Sequence, residues 1–285
     1  MQKLSIEHTT EYRFRASVQL LPHTLILRPR ENHCLRITSS RVTISPVAQV
    51  RWGRDALDNS IALATFSAPT DSLRIESRVL VEHYDVTPLD FLVAEHALYH
   101  PFAYTSEECL TLTPFLAAAW PADRARVGEW LRAWSLGIGR QETFGLLDLL
   151  NRTIPRAFGY ESREEEGVQS PAATLARGRG SCRDFAAFFV EACRYLGLAA
   201  RFVSGYHTTY ANEAGPGSTH AWAEVYLPGP GWKAFDPTAG VVAGSEHIAV
   251  AVARHPEAVP PVAGSYLGAA TSRPEMFVSV RVVPG

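Results

Sequence analysis

The chain has 285 residues, 46% of them hydrophobic and 20% charged, enough to bury one large core or two moderate ones, so a disordered chain is excluded. Lys and Arg (27) nearly balance Asp and Glu (29), and the formal net charge of -2 is spread along the sequence. That balance leaves no basic stripe for nucleic acid or an anionic membrane surface and points to a peptide or small-molecule partner.

The opening MQKLSIEHTTEYRF alternates polar and apolar residues and lacks a charged region followed by an apolar run. It is expected to be a strand rather than a signal peptide. No apolar run is long enough to span a bilayer. Up to about His83 the runs EYRFRASVQLL, TLILRP, LRITSSRVTISP, SIALATFS and LRIESRVLVEHY carry strand character, punctuated by Pro, Asn, Asp and Ser. They predict an antiparallel β domain over residues 1–85, a β-sandwich, with Asp55 to Asn59 (DALDN) as a turn. Residues 86–120, with Pro88, Pro101 and Pro114, read as an extended linker. Helices are expected from about Ala122 to Ser135 and from Glu142 to Arg152, where Leu146, Leu147, Leu149 and Leu150 supply an apolar face. ESREEEG, from Glu161 to Gly167, reads as a solvated loop.

GRGSCRDFAAFFVEACRYLGL is the most informative stretch. Ser181 can cap a helix, Asp184 stands where a capping box places its acid, and Phe185, Phe188, Phe189, Ala192, Cys193 and Leu196 recur at helical spacing before the stop at Gly197. Cys182 therefore falls in the first turn, where unpaired N–H groups and the helix dipole favour a thiolate and can hold an oxyanion. Cys193, along the apolar stripe, reads as a packed core thiol. The four cysteines, Cys34, Cys109, Cys182 and Cys193, form no CxxC pair, so neither a disulfide framework nor a zinc site is expected, and a reducing, cytoplasmic setting fits.

After the helix, ARFVSGY reads as a buried strand, HTTYANEAGPGS as a loop, THAWAEVYL as an alternating strand and GWKAFDPT as its antiparallel return carrying Asp236. The tail adds two strands, HIAVAVAR and EMFVSVRVV. A cysteine at a helix start, a histidine on a strand and an aspartate on the next strand suit acyl transfer. With Leu227 opposite Trp232, however, Asp236 falls on the wrong face, and a shifted register or a bulge is required to bring it to His220. Taken singly, His220 beside a tryptophan is more often structural, and Asp236 before Pro237 is more often a turn residue. His207, at the end of the preceding strand, is the rival histidine for the same cleft.

GRGSCRDFA, LGLAARFVSGY, THAWAEVYLPGPGW and FDPTAG resemble, in order, the signature blocks of the bacterial transglutaminase-like proteins, a branch of the papain-like cysteine enzymes. EHTTEYRF, LRPR and DALDN resemble the β domain that precedes their core. The resemblance implies an α+β fold, an N-terminal antiparallel β-sandwich followed by a transglutaminase-like catalytic domain over residues 121–285, with Cys182 as nucleophile, His220 as base and Asp236 as its orienting partner. Two positions depart from the pattern: Ser181 stands where an apolar residue is common, and RHPEAVPPVAGSYLG lacks an acidic-aromatic pattern. The expected reaction is cysteine-dependent cleavage of a peptide or protein amide through a thioester, with no metal or other cofactor. Protein-glutamine transglutamination, a non-catalytic interaction module and a thiol-redox protein are the alternatives. Trp222, Tyr206 and Trp232 are candidates for a substrate groove, with sheet packing an equally good reading.

Overall fold

The computed structural model describes residues 1–84, 88–163, 165–208, 219–269 and 273–285. Six strands come first: β1 (Gln2–Leu20), β2 (His23–Leu25), β3 (Leu35–Ser45), β4 (Gln49–Arg54), β5 (Ser60–Thr65) and β6 (Thr70–His83). The short β7 (Tyr99–His100), α1 (Ser106–Leu116), α2 (Arg124–Ala133), the short β8 (Gln141–Glu142) and α3 (Thr143–Ala157) follow. Then come β9 (Gly159–Tyr160), α4 (Pro171–Arg177), β10 (Arg179–Gly180) and α5 (Cys182–Tyr195). The chain ends with β11 (Ala200–His207), β12 (His220–Leu227), β13 (Gly231–Asp236), β14 (Val241–Val242), β15 (His247–Ala253), β16 (Val262–Ala263), β17 (Tyr266–Leu267) and β18 (Glu275–Pro284).

β1 organises the first half of the molecule. Strict alternation buries Leu4, Ile6, His8 and Thr10 on one face. In the far half of the strand Phe14, Val18 and Leu20 join Leu25, Leu27, Ala62, Ala64, Leu73 and Ile75 in an apolar layer between the sheet β17-β1-β6-β3 and the sheet β16-β2-β5-β4. In its near half Leu4 and Ile6, with Val79, Val81, Val280 and Val282, pack instead on Phe202, Tyr206, Ile248 and Val250 of the third sheet. One long strand thus serves two cores.

The third sheet has the order β14-β13-β12-β11-β15, all antiparallel. Helices α2, α3 and α5 cover it through Leu131, Leu147, Leu150, Ile154, Phe188 and Phe189, packed on Ala223, Val225 and Phe235. Helix α5 is buried on every side from Asp184 to Arg194, which the amphipathic reading did not anticipate. Its charged residues are paired: Glu191 accepts from the Ala119 and Trp120 N–H groups and from Arg194, whose guanidinium also donates to the Phe115, Ala200 and Arg254 carbonyls.

Two expectations are corrected and a third is extended. Residues 86–120 are not wholly extended: Thr105 and Glu108 form a capping box that starts α1. The chain beyond the third sheet does not stay with residues 121–261: β16 pairs with β2, while β17 and β18 pair with β1. The DALDN segment is a turn, between β4 and β5, but it is also a clamp. Asp55 bonds Asn59, and the buried Asn59 amide both donates to the Val252 carbonyl and accepts from the Val252 N–H at 2.8 Å, acting as a one-residue strand on the edge of β15. Among the described residues no helix is long and apolar enough to cross a membrane.

Candidate active site

Cys182 is the first residue of α5 and is partly exposed, whereas Cys193 is fully buried and burial pushes its thiol pKa up. Asp184 holds the helix start in place. Its buried carboxylate accepts from the Ser181 N–H at 2.8 Å and the Ser181 hydroxyl at 2.9 Å, from the Gln169 N–H at 2.8 Å and from Arg163 at 2.8 Å. Gly180 makes room for this: a Cβ there would stand 2.9 Å from the Asp184 Cβ. The Cys182 N–H lies ahead of the intrahelical ladder, whose first bonds run from the Asp184 and Phe185 N–H groups to the Ser181 carbonyl at 3.0 Å.

His220 begins β12, and Asp236 ends β13. The register is Leu227 with Gly231 and Ala223 with Phe235, one residue away from the pairing that would misplace the aspartate. Continued, it sets Asp236 opposite Trp222 and therefore on the face of His220, so no bulge is needed between these strands. His220 Nε2 lies 2.8 Å from Asp236 Oδ2, and Cys182 is the second neighbour that favours its charged form. Burial works against the imidazolium, but Asp236 and Cys182 outweigh it and raise the His220 pKa to about 10. For Asp236, which has no exposed surface, burial works against the carboxylate, but His220 and His247 hold its pKa well below the usual range.

Two further histidines share this face. β11 and β15 change register between Ser204 and Gly205, where Val250 is the extra residue, and the bulge sets His247 directly across from His207. His247 Nε2 is 3.1 Å from Asp236 Oδ2. His207 makes edge contacts with His247 and His220, at ring-centre separations of 4.4 and 5.3 Å, and faces Glu246 at 3.8 Å. Burial, and then the neighbouring His247 and His220, push its pKa down to about 3, which fits a neutral packing residue better than a base. His207, Asp236 and His247 present ligand atoms within 4.8 Å of one another, the arrangement among the described residues that comes nearest to a metal site. The hydrogen bonds already account for Asp236: Oδ2 accepts from two imidazoles, and Oδ1 accepts from the Thr238 and Ala239 N–H groups at 2.8 and 3.4 Å.

The structure brings together Cys182, His220 and Asp236 but not the three expected groove residues. Trp222 is 2% exposed and packs against the rings of His220 and His247, forming a wall of the histidine cluster. It lies over Gly205, where any Cβ would collide with its ring. Tyr206 is buried in the layer under β1, its hydroxyl donating to the Leu27 carbonyl and meeting His8 at 3.1 Å. Trp232 stands at the far end of β13 from Asp236, between Arg201 and Phe115. Both follow the sheet-packing reading. Of the expected loop over 207–218, His207 belongs to β11 and residues 209–218 lie outside the described residues.

Tyr160 was not anticipated. β9 pairs parallel with β10, setting Tyr160 beside Gly180, two positions before the cysteine. Burial of its hydroxyl, and then the negative charge of Cys182 and Asp236, raise its pKa, yet the residue is 59% exposed, so an aromatic face is offered to solvent beside the thiol. No periodicity marks a single tyrosine after a glycine, and only the strand pairing reveals it.

Residues 4–82 match the family model for the bacterial transglutaminase-like N-terminal region, and residues 140–237 match that for the transglutaminase-like superfamily. An uncharacterized protein of Mycobacterium tuberculosis is 31% identical over 304 aligned residues, spanning 98% of this chain and 92% of the relative. Another, from Mycobacterium leprae, is 31% identical over 110 residues, spanning 37% and 39% of the two chains. The solved structure of a candidate cysteine protease from Cytophaga hutchinsonii is similar over 100% of this chain and 91% of its own, with a TM-score of 0.73 at 17% identity, a likeness of fold.

Proposed function

We propose, starting from a chain that belongs to the transglutaminase-like superfamily and carries its bacterial N-terminal region, that it is a cysteine hydrolase of peptide or protein amide bonds. The observation that carries this reading is the buried, hydrogen-bonded His220–Asp236 pair set beside the partly exposed Cys182 at a helix start. A binding module has no use for a buried carboxylate aimed at an imidazole that in turn meets a thiol.

His220 takes the Cys182 proton, and the thiolate attacks the amide carbonyl carbon. The Cys182 N–H stabilises the oxyanion while Asp236 fixes the imidazole tautomer and supports its charged form. Collapse breaks the C–N bond, His220 returns the proton to the leaving amine, and a thioester remains on Cys182. Water, deprotonated by His220, then attacks the thioester to release the acid and regenerate the thiol. Water is always present as acceptor, and among the described residues nothing marks a site for a lysine amine. A reducing, cytoplasmic setting suits a nucleophile that must stay a thiol.

The test has two parts. Cys182 should be alkylated by iodoacetamide faster than Cys34, Cys109 and Cys193 at neutral pH, read by peptide mapping. A peptide-amide library should yield cleavage products that vanish in Cys182→Ala and persist in Cys109→Ala. A Cys182 as slow as the other thiols overturns the reading, and incorporation of a primary amine in preference to hydrolysis would change the reaction to transfer.

A further inference from the structure

We propose that His247 is a positioning residue that completes a four-membered chain, Cys182–His220–Asp236–His247, by fixing the carboxylate that orients the base. The inference rests on the reading of Cys182 and His220 as nucleophile and base, and goes beyond it in assigning a role to the second imidazole.

Geometry determines what His247 does. Its Nδ1 accepts the Gly244 N–H at 3.3 Å, so the ring proton sits on Nε2, which donates to Asp236 Oδ2 at 3.1 Å. The ring is held in that pose by the Trp222 edge at 5.2 Å and by His207 at 4.4 Å between centres. Its backbone is held too. His83, the last residue of β6, meets the His247 carbonyl at 3.3 Å, the Arg30 N–H donates to the Ala249 carbonyl at 2.8 Å, and Asn59 pairs with Val252. The first-half domain thus clamps the edge strand that carries His247, giving that domain a physical route to the triad. The titratable groups around the ring are Asp236 from β13, His220 from β12, His207 from β11, Glu246 immediately before β15, and His83 from β6.

Asp236 Oδ2 receives both imidazoles, so its direction is determined by two donors rather than one. Removing the second lets the carboxylate swing about its Oδ1 contacts, and the first imidazole then loses the alignment that favours its charged form.

The probe is iodoacetamide, and the readout is the Cys182 alkylation rate followed from about pH 5 to 9 in the full-length protein. His247→Leu keeps bulk without a donor, and His247→Gln places an N–H donor near Nε2. In His247→Leu the rate near neutral pH should fall about tenfold, with the half-maximal point moving up by about one pH unit, whereas His247→Gln should stay within about threefold of the unmodified protein. Should His247→Leu fail to fold by circular dichroism, His247→Phe takes its place with the same expectation. A Leu or Phe profile that superimposes on the unmodified one, or a Gln variant as impaired as the Leu variant, overturns the inference and leaves the nucleophile reading intact. An unmodified protein whose Cys182 is no more reactive than Cys109 overturns both.

Discussion

At the scale of the residue, Asp236 shows how one side chain satisfies two readings of its sequence context. Oδ1 closes a turn through the Thr238 and Ala239 N–H groups, as an aspartate before proline does, while Oδ2 serves the imidazoles. Asp236→Asn retains the shape but offers an N–H to a donor, so kcat/KM for amide cleavage should drop by about four decades if the serine-protease precedent transfers, with the near-ultraviolet circular dichroism unchanged. The histidines fix the pH dependence of stability. His220, raised to about 10, contributes stability that is complete below about pH 6.5 and is lost as pH climbs towards 10. Asp236, held low, contributes above about pH 4 and is lost on acidification. His8 is opposite in sense to His220. Buried between Tyr206 and Thr10, its pKa is pushed down to about 4, so the unfolded chain takes up the proton first and stability falls as pH drops from about 6.5 towards 4. The loss from this residue should reach about 3 kcal/mol. Urea unfolding of His8→Gln, which keeps polar contacts without a titrating group, should show a flatter acid limb between those values.

At the scale of the element, the strands with clean alternation were legible, because burying one face of a pleated strand writes period two into its sequence. β4 was missed: QVRWGR is almost wholly exposed, so no apolar face marks it. α1 and α4 were missed although their start signals were present, the Thr105/Glu108 capping box and Ser170 before Pro171, with Gly178 at a φ of +65° closing α4. Prolines favour the linker reading of the first segment. The Asn59 clamp belongs to this scale. Asn59→Ala leaves the Val252 N–H and C=O without their partner in a buried edge and should cost about 2–4 kcal/mol in chemical denaturation. Hydrogen exchange should locate the damage, with the Val252 amide exchanging much faster in the variant and amides within α5 changing only by the global loss.

At the scale of the whole molecule, the chain returns to its beginning. β18 pairs with β1 from Leu4 to Arg13 and buries Val280 and Val282 against the layer under the third sheet. Removing residues 273–285 would uncover the long edge of β1 and expose the apolar row beneath it. Two buried valines alone are worth roughly 3–5 kcal/mol. The shortened protein should therefore melt well below the full chain and aggregate on concentration, whereas a truncation that stops after Pro284 should melt as the full chain does. Light scattering alongside a thermal melt separates these outcomes.

By itself the sequence determined what depends on neighbours along the chain: the helix that begins at Cys182, the alternating strand of His220, the return strand of Asp236 and the chemistry those three residue types permit. Local spacing carries that information because helix caps and strand periods are set within a few residues. Tertiary structure decided the rest. The one-residue choice of register put Asp236 on the face of His220, and the Val250 bulge set His247 across from His207 beside it. A strand pairing brought Tyr160 to the thiol, and a turn amide 193 positions away capped the edge of β15. Each depends on which partner a strand finds across space, and a strand's own alternation is the same in every register that keeps its apolar face buried.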